Sequence, residues 1–141
     1  MKDGARAVIT QWIRIREGQS ICLVTSPVHY EECECLKEEA NKAGGIASIL
    51  VVEKEGIHVG DFFDDNPDIF LPYDIIVGAC DYSIITTKAA DHALAAGKKM
   101  LSLPLSTNIA KSMLAFDFMF MEPTEAKIMA ETAIGMIGKA E

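Results

Sequence analysis

Four short stretches of this 141-residue sequence carry side chains able to act on a ligand. Ser26-Pro27-Val28-His29 offers a hydroxyl and an imidazole. Asp81-Tyr82-Ser83 adds a carboxylate and a phenol, Thr86-Thr87 adds two hydroxyls, and Pro104-Leu105-Ser106-Thr107-Asn108 adds two more with an amide. Such groups build acid–base and nucleophilic sites, but the partners of a Ser-His-Asp or Cys-His set meet only in space. Spacing along the chain therefore assigns no triad and no catalytic residue. It leaves Ser26, His29, Asp81, Thr86 and Thr87 as the ligand-binding candidates.

Motifs with a stricter geometry narrow the chemistry. Val24-Thr25-Ser26-Pro27-Val28-His29 contains no Gly-x-Gly-x-x-Gly, so the close backbone approach that a dinucleotide pyrophosphate needs is missing there. The phosphate loop of nucleotide hydrolases is absent as well. FMN stays open, because Ser and Thr hydroxyls at a helix start can hold a phosphate, although no aromatic pair flanks these loops to stack a flavin. His29, His58 and His92 are far apart and form no His-Glu-x-x-His, so no metal site is expected. His92 reads as a half-buried helix residue. The acidic run Asp61, Asp64, Asp65, Asp68 is broken by Phe62-Phe63 and Pro67, which is wrong for a calcium loop and right for a solvated one. Cys22 and Cys80 lie in apolar runs as small hydrophobes. Cys33 and Cys35 would point to different sides of a helix, so the four cysteines suggest neither disulfides nor a metal.

These stretches sit at joints between periodic segments. A helical apolar stripe runs from Gly4 to Arg16, with Asp3 as its N-cap and Gly18 as its stop. Strands are expected at 20–25, 46–52, 73–80 and 99–103. Helices are expected at 30–43, 86–96, 109–119 and 124–138, and 53–68 reads as irregular. Thr86-Thr87 and Ser106-Thr107-Asn108 also suit plain helix capping. Strand–helix alternation with continuous apolar strands predicts an α/β fold: a three-layer Rossmann-like or flavodoxin-like domain with a mostly parallel sheet of four to five strands. Ligands in such sheets bind beyond the carboxyl ends of the strands, where the candidate residues lie. Residues 1–141 read as one domain.

Charge and hydropathy restrict the partners. There are 13 basic and 21 acidic residues, a net charge of −8, and no basic run longer than Lys98-Lys99. Nucleic acid and anionic membranes want the opposite balance, and neither is expected as a partner. No segment has the ~18–20 continuous apolar residues of a membrane span, and the N-terminus does not read as a signal peptide, so a cytoplasmic location is expected.

The stretch from Asp74 to Pro104 also carries a resemblance. Tyr73-Asp74-Ile75-Ile76-Val77, Thr86-Thr87-Lys88-Ala89, Ala95-Ala96-Gly97-Lys98-Lys99 and Leu101-Ser102-Leu103-Pro104 resemble the N-terminal domain of thermophilic-type leucyl aminopeptidases, an architecture shared with dihydroxypyridine ring-cleaving dioxygenases. Arg16-Glu17-Gly18-Gln19-Ser20 leading into Ile21-Cys22-Leu23-Val24-Thr25 is similar to the start of that domain. Two departures stand out: Thr86 replaces a frequent His, and Lys98-Lys99 replaces Ala-Arg. The resemblance implies the N-terminal half of a two-domain metallopeptidase. In that family a divalent metal pair is held by Glu, His, Tyr and Asp of a C-terminal domain, which has no counterpart here. No cofactor is then expected in this chain, which would be inactive by itself while shaping a substrate cleft for a peptide or small molecule and making subunit contacts.

The alternative is a free-standing module that binds a nucleotide, a flavin or an organic acid. A homo-oligomer is the third reading, prompted by Met100, Met113, Met119, Met121, Met129 and Met136 with Phe116, Phe118 and Phe120. At helical spacing, this group reads as core first and interface second.

Overall fold

The computed structural model describes residues 1–53, 58–105 and 111–137. Four strands, β1 (Ser20–Thr25), β2 (Ile46–Val51), β3 (Ile75–Ala79) and β4 (Lys99–Ser102), form one sheet in the order β2-β1-β3-β4. All three pairings are parallel; Leu23 stands opposite Ile49 on one side and Val77 on the other. The expected α/β fold with a parallel sheet between helices is therefore present. Apolar runs in β1 and β3 make this possible, because a central parallel strand is covered on both faces.

Each central strand sends alternate residues to two cores. Ile21, Leu23, Ile75 and Val77 pack with α1 (Lys2–Ala7) and α2 (Tyr30–Lys42), through Ala5, Leu36 and Ala40. Cys22, Val24 and Ile76 pack on the other face with α3 (His58–Asp65) and α4 (Lys88–Ala95), through Phe63, Ala89 and Ala93. The covering helix changes face where the strand order reverses, between β1 and β3. The N-cap of α4 is Thr87, whose Oγ1 accepts from Ala90 N at 3.3 Å and donates to Ile84 O at 2.7 Å.

Several expectations are corrected. The first helix is not a regular α-helix from Gly4 to Arg16. It is α1 followed by a π-helical turn, Val8–Ile13, closed by Arg14 at φ 54°. Asp3 lies inside its first turn rather than at the cap, and Gly18 sits in a later turn at φ 76°. Val8, Ile9 and Ile13 are all buried along this turn, so the apolar stripe faces the core as expected while the helix type differs.

Residues read as irregular contain α3, because Val59 and Phe63, one helical turn apart, are buried against Phe70. Within 109–119, the described part is two 3-10 turns, Met113–Ala115 and Asp117–Phe120, which drop Leu114 and Met119 into the core. Residues 109 and 110 fall outside the described residues, as do Ser106, Thr107 and Asn108. The final helix α5 (Pro123–Ile137) buries none of its residues, so Met129 and Met136, at 62% and 68% exposure, are not core.

No helix among the described residues is long and apolar enough to cross a membrane.

Candidate functional site at the strand switch point

β1 turns away toward β2, while β3 lies on its other side, so the loops after β1 and β3 part and leave a crevice. A cleft of about 270 Å³ occupies it. Ser26 and Val28 come from the loop after β1, Glu53 from the chain after β2, and Cys80, Asp81 and Tyr82 from the loop after β3. The side chains are thus brought together by topology rather than by sequence proximity.

Three of the five sequence candidates meet here. Ser26 and Asp81 line the cleft. His29 closes a single 3-10 turn, Pro27–His29, and its Nε2 stands 2.6 Å from Asp81 Oδ1. Its other ring nitrogen faces Glu32 Oε1 at 3.9 Å. The imidazole therefore hydrogen-bonds Asp81 across the crevice, with Glu32 close to its other side.

Ser26 differs from its neighbours. Its Oγ is buried and is the one such side-chain oxygen or nitrogen without a hydrogen-bond partner among the described residues. An unpaired buried hydroxyl costs about 1–3 kcal/mol, so Ser26 leaves an unused hydrogen-bonding group at the cleft.

Thr86 and Thr87 stay outside the cleft. Thr86 is exposed, and the hydroxyl of Thr87 is committed to its capping bonds. Tyr82, in the expected Asp81-Tyr82-Ser83 loop, lines the cleft as well, and so does Glu53, which the sequence did not single out. Glu53 lies two residues beyond the end of β2, so extending the strand-end rule to every strand would have selected it.

Among the described residues, the formal charge lining the cleft is negative. Asp81 and Glu53 line it, and no Lys or Arg among the described residues does. Such a site favours an ammonium group or hydrogen-bond donors over a phosphate, which weighs against the FMN reading at this position. The Cys80 thiol donates to Tyr82 O at 3.1 Å, and burial pushes its pKa up, which leaves it a protonated side chain rather than a nucleophile.

His92 is exposed rather than half-buried, and its Nδ1 pairs with Asp68 at 3.0 Å. The acidic run makes one local contact, Asp61 to His58, and two to α4, 24 residues on: Asp64 to the amide of Lys88 and Asp68 to His92. No group of three His, Cys, Asp or Glu among the described residues could hold a metal ion.

No family model matches the chain, and no curated protein matches it. Among solved structures it is similar to wild-type AmpT from Thermus thermophilus at 12% identity and a TM-score of 0.47. That similarity covers 75% of this chain, which spans 36% of the other.

Proposed function

We propose that this chain is a non-catalytic α/β domain of a leucyl-aminopeptidase-like metalloenzyme, whose switch-point cleft receives the ammonium end of an aminoacyl or peptide substrate. The observation that carries the reading is the acidic cleft itself. Asp81 is fixed by His29 and accompanied by Glu53 and the unpaired Ser26 hydroxyl, which together suit a protonated amine. The residues from Asp74 to Pro104 supply the family resemblance. By the family resemblance, the metal pair would belong to a C-terminal domain. The exposed Ile128, Ile134 and Ile137 of α5 add apolar surface suited to contact with such a domain or a second subunit.

Calorimetric titration with leucinamide and with its deaminated isostere, 4-methylpentanamide, tests this. Leucinamide is expected to bind and the isostere is not. Metal-supplemented chain is expected to leave an aminoacyl anilide intact. Equal binding of the two amides removes the ammonium site, and metal-dependent cleavage by the purified chain removes the division of labour.

A second reading, a free-standing binding module, is favoured by Ser26 Oγ alone, whose unpartnered hydroxyl at the cleft suits a ligand of either protein. The size of the natural polypeptide separates the two. A band on an immunoblot of source cells well above 15.4 kDa supports the two-domain enzyme, and one at 15.4 kDa supports the module.

A further inference from the structure

A second cleft opens at the opposite end of the sheet, beside the first residues of β3 and β4. It is larger, about 1000 Å³, at the upper end of the range for small-molecule sites. Its charge is the reverse of the first. Arg14, Arg16, Lys98, Lys99 and Lys127 line it, and no Asp or Glu among the described residues does. Five of the chain's 13 basic residues thus share one cavity in a protein of net charge −8. Clustering like charges against the overall balance costs folding energy through self-repulsion, and a bound anion offsets that cost.

The backbone around this cleft is also unusual. Arg14 is the only residue other than glycine with a positive φ among the described residues, at 54°, and it ends the π-helical turn Val8–Ile13. Both features are concentrated at functional sites because each costs stability. The Arg14 Nε donates to Gln11 O at 3.1 Å, which anchors the guanidinium. Carboxylates stand near the cleft without lining it. Glu131 lies 3.8 Å from Lys127, Glu122 feels Arg14, and Asp74 feels Lys98. All are exposed, so they neutralise the cations weakly.

The cleft has an aromatic wall too. Trp12 is 41% exposed within it, and its Nε1 donates to Met119 O at 3.3 Å, which fixes the ring. We propose that this cleft binds a nucleoside polyphosphate, with the base on Trp12 and the phosphates among Arg14, Arg16, Lys98, Lys99 and Lys127. Arginine forks match phosphate oxygens in pairs, lysines add point charges, and an indole face accepts a flat base. The site uses side-chain cations, so it needs no glycine-rich loop.

Trp12 is the only tryptophan in the chain, so its emission reports directly on this cleft. Titrations with ATP, tripolyphosphate and adenosine, in metal-free buffer and paired with calorimetry, separate the anionic from the aromatic contribution. ATP is expected to saturate and to bind at least about tenfold more tightly than either fragment. The double change Lys98→Glu, Lys99→Glu is expected to lower ATP affinity more than about tenfold, while Lys37→Glu on α2 leaves it unchanged. Arg14→Gly relieves the left-handed backbone while removing the guanidinium, so it folds and still binds more weakly. No saturable ATP binding by either measurement overturns the proposal. So does equal affinity for tripolyphosphate, or unchanged affinity in the charge-reversed and Arg14→Gly proteins.

Discussion

His29 Nε2 and Asp81 Oδ1 stand 2.6 Å apart, and this contact joins the loop after β1 to the loop after β3 across the point where the strand order reverses. It holds one wall of the acidic cleft to the other. Asp81→Asn keeps the shape and removes the charge, so leucinamide affinity is expected to fall by at least about tenfold. His29→Ala should cost no more than about 1 kcal/mol of stability, as a partly exposed pair does. Titration calorimetry and urea unfolding read the two effects separately, and undiminished leucinamide binding in Asp81→Asn would remove Asp81 from the site.

Ser26 gives the opposite sign for stability and binding. Its buried Oγ has no partner, so Ser26→Ala deletes an unpaid desolvation cost. The variant is expected to be as stable as the parent or more so, by up to about 1 kcal/mol, and to bind leucinamide more weakly. A clear loss of stability in urea would mean that the hydroxyl has a structural role instead.

The sheet was legible in the sequence because each strand is a short apolar run bounded by Gly, Pro or charge. β1 has the expected limits, and β2, β3 and β4 differ from expectation only at their ends. Three of the five candidate residues, Ser26, His29 and Asp81, come together at the strand switch point because the strand-end rule depends on topology alone. The π-helical turn was not legible, since Val8, Ile9 and Ile13 fit a regular stripe nearly as well. Nor was α3, whose acidic residues mask a two-residue apolar face formed by Val59 and Phe63. The basic cleft was hidden for a different reason. Arg14, Arg16, Lys98, Lys99 and Lys127 are separated by up to 113 positions, from 14 to 127, and meet only in three dimensions.

Gly4 marks where α1 touches the turn Met113–Ala115. A Cβ there would lie 1.8 Å from Leu114 O, a backbone atom that cannot move aside cheaply. Gly4→Ala is expected to destabilise the fold by about 1–3 kcal/mol, despite the higher helix propensity of alanine. Gly60→Ala, in open space on α3, is the matched control and should be neutral or slightly stabilising. Equal midpoints for the two variants would mean that α1 and this turn do not pack closely.

Acid should weaken the fold through two carboxylates. The backbone amide and hydroxyl of Ser20 hold Asp74 below its usual pKa, tying the start of β3 to the start of β1. Glu39 is held low chiefly by Lys42 Nζ at 2.7 Å and also by Arg6 at 3.3 Å. A carboxylate with a lowered folded pKa stabilises the fold above its unfolded value, about 4, and that contribution is lost as pH falls through the folded value. Stability is therefore expected to decline below about pH 4 and to decline less in Asp74→Asn. Urea midpoints across pH check this, and an unchanged acid limb in Asp74→Asn would assign the loss elsewhere.

All four cysteines are free and buried. Burial pushes Cys22 up to about 12 and Cys33 up to about 11, and it raises Cys35 and Cys80 as well. Thiolate is the reacting form, so both access and ionisation oppose modification at neutral pH. A thiol-specific disulfide reagent is expected to label none of the four quickly in the native protein and all four in urea. Slow native labelling then measures opening of the core, and its rate should rise in Gly4→Ala, which loosens the face that holds Cys33 and Cys35. Rapid labelling of any thiol in the unmodified protein at neutral pH would show that its surroundings open without global unfolding, and the labelled residue would identify which face of the sheet gives way.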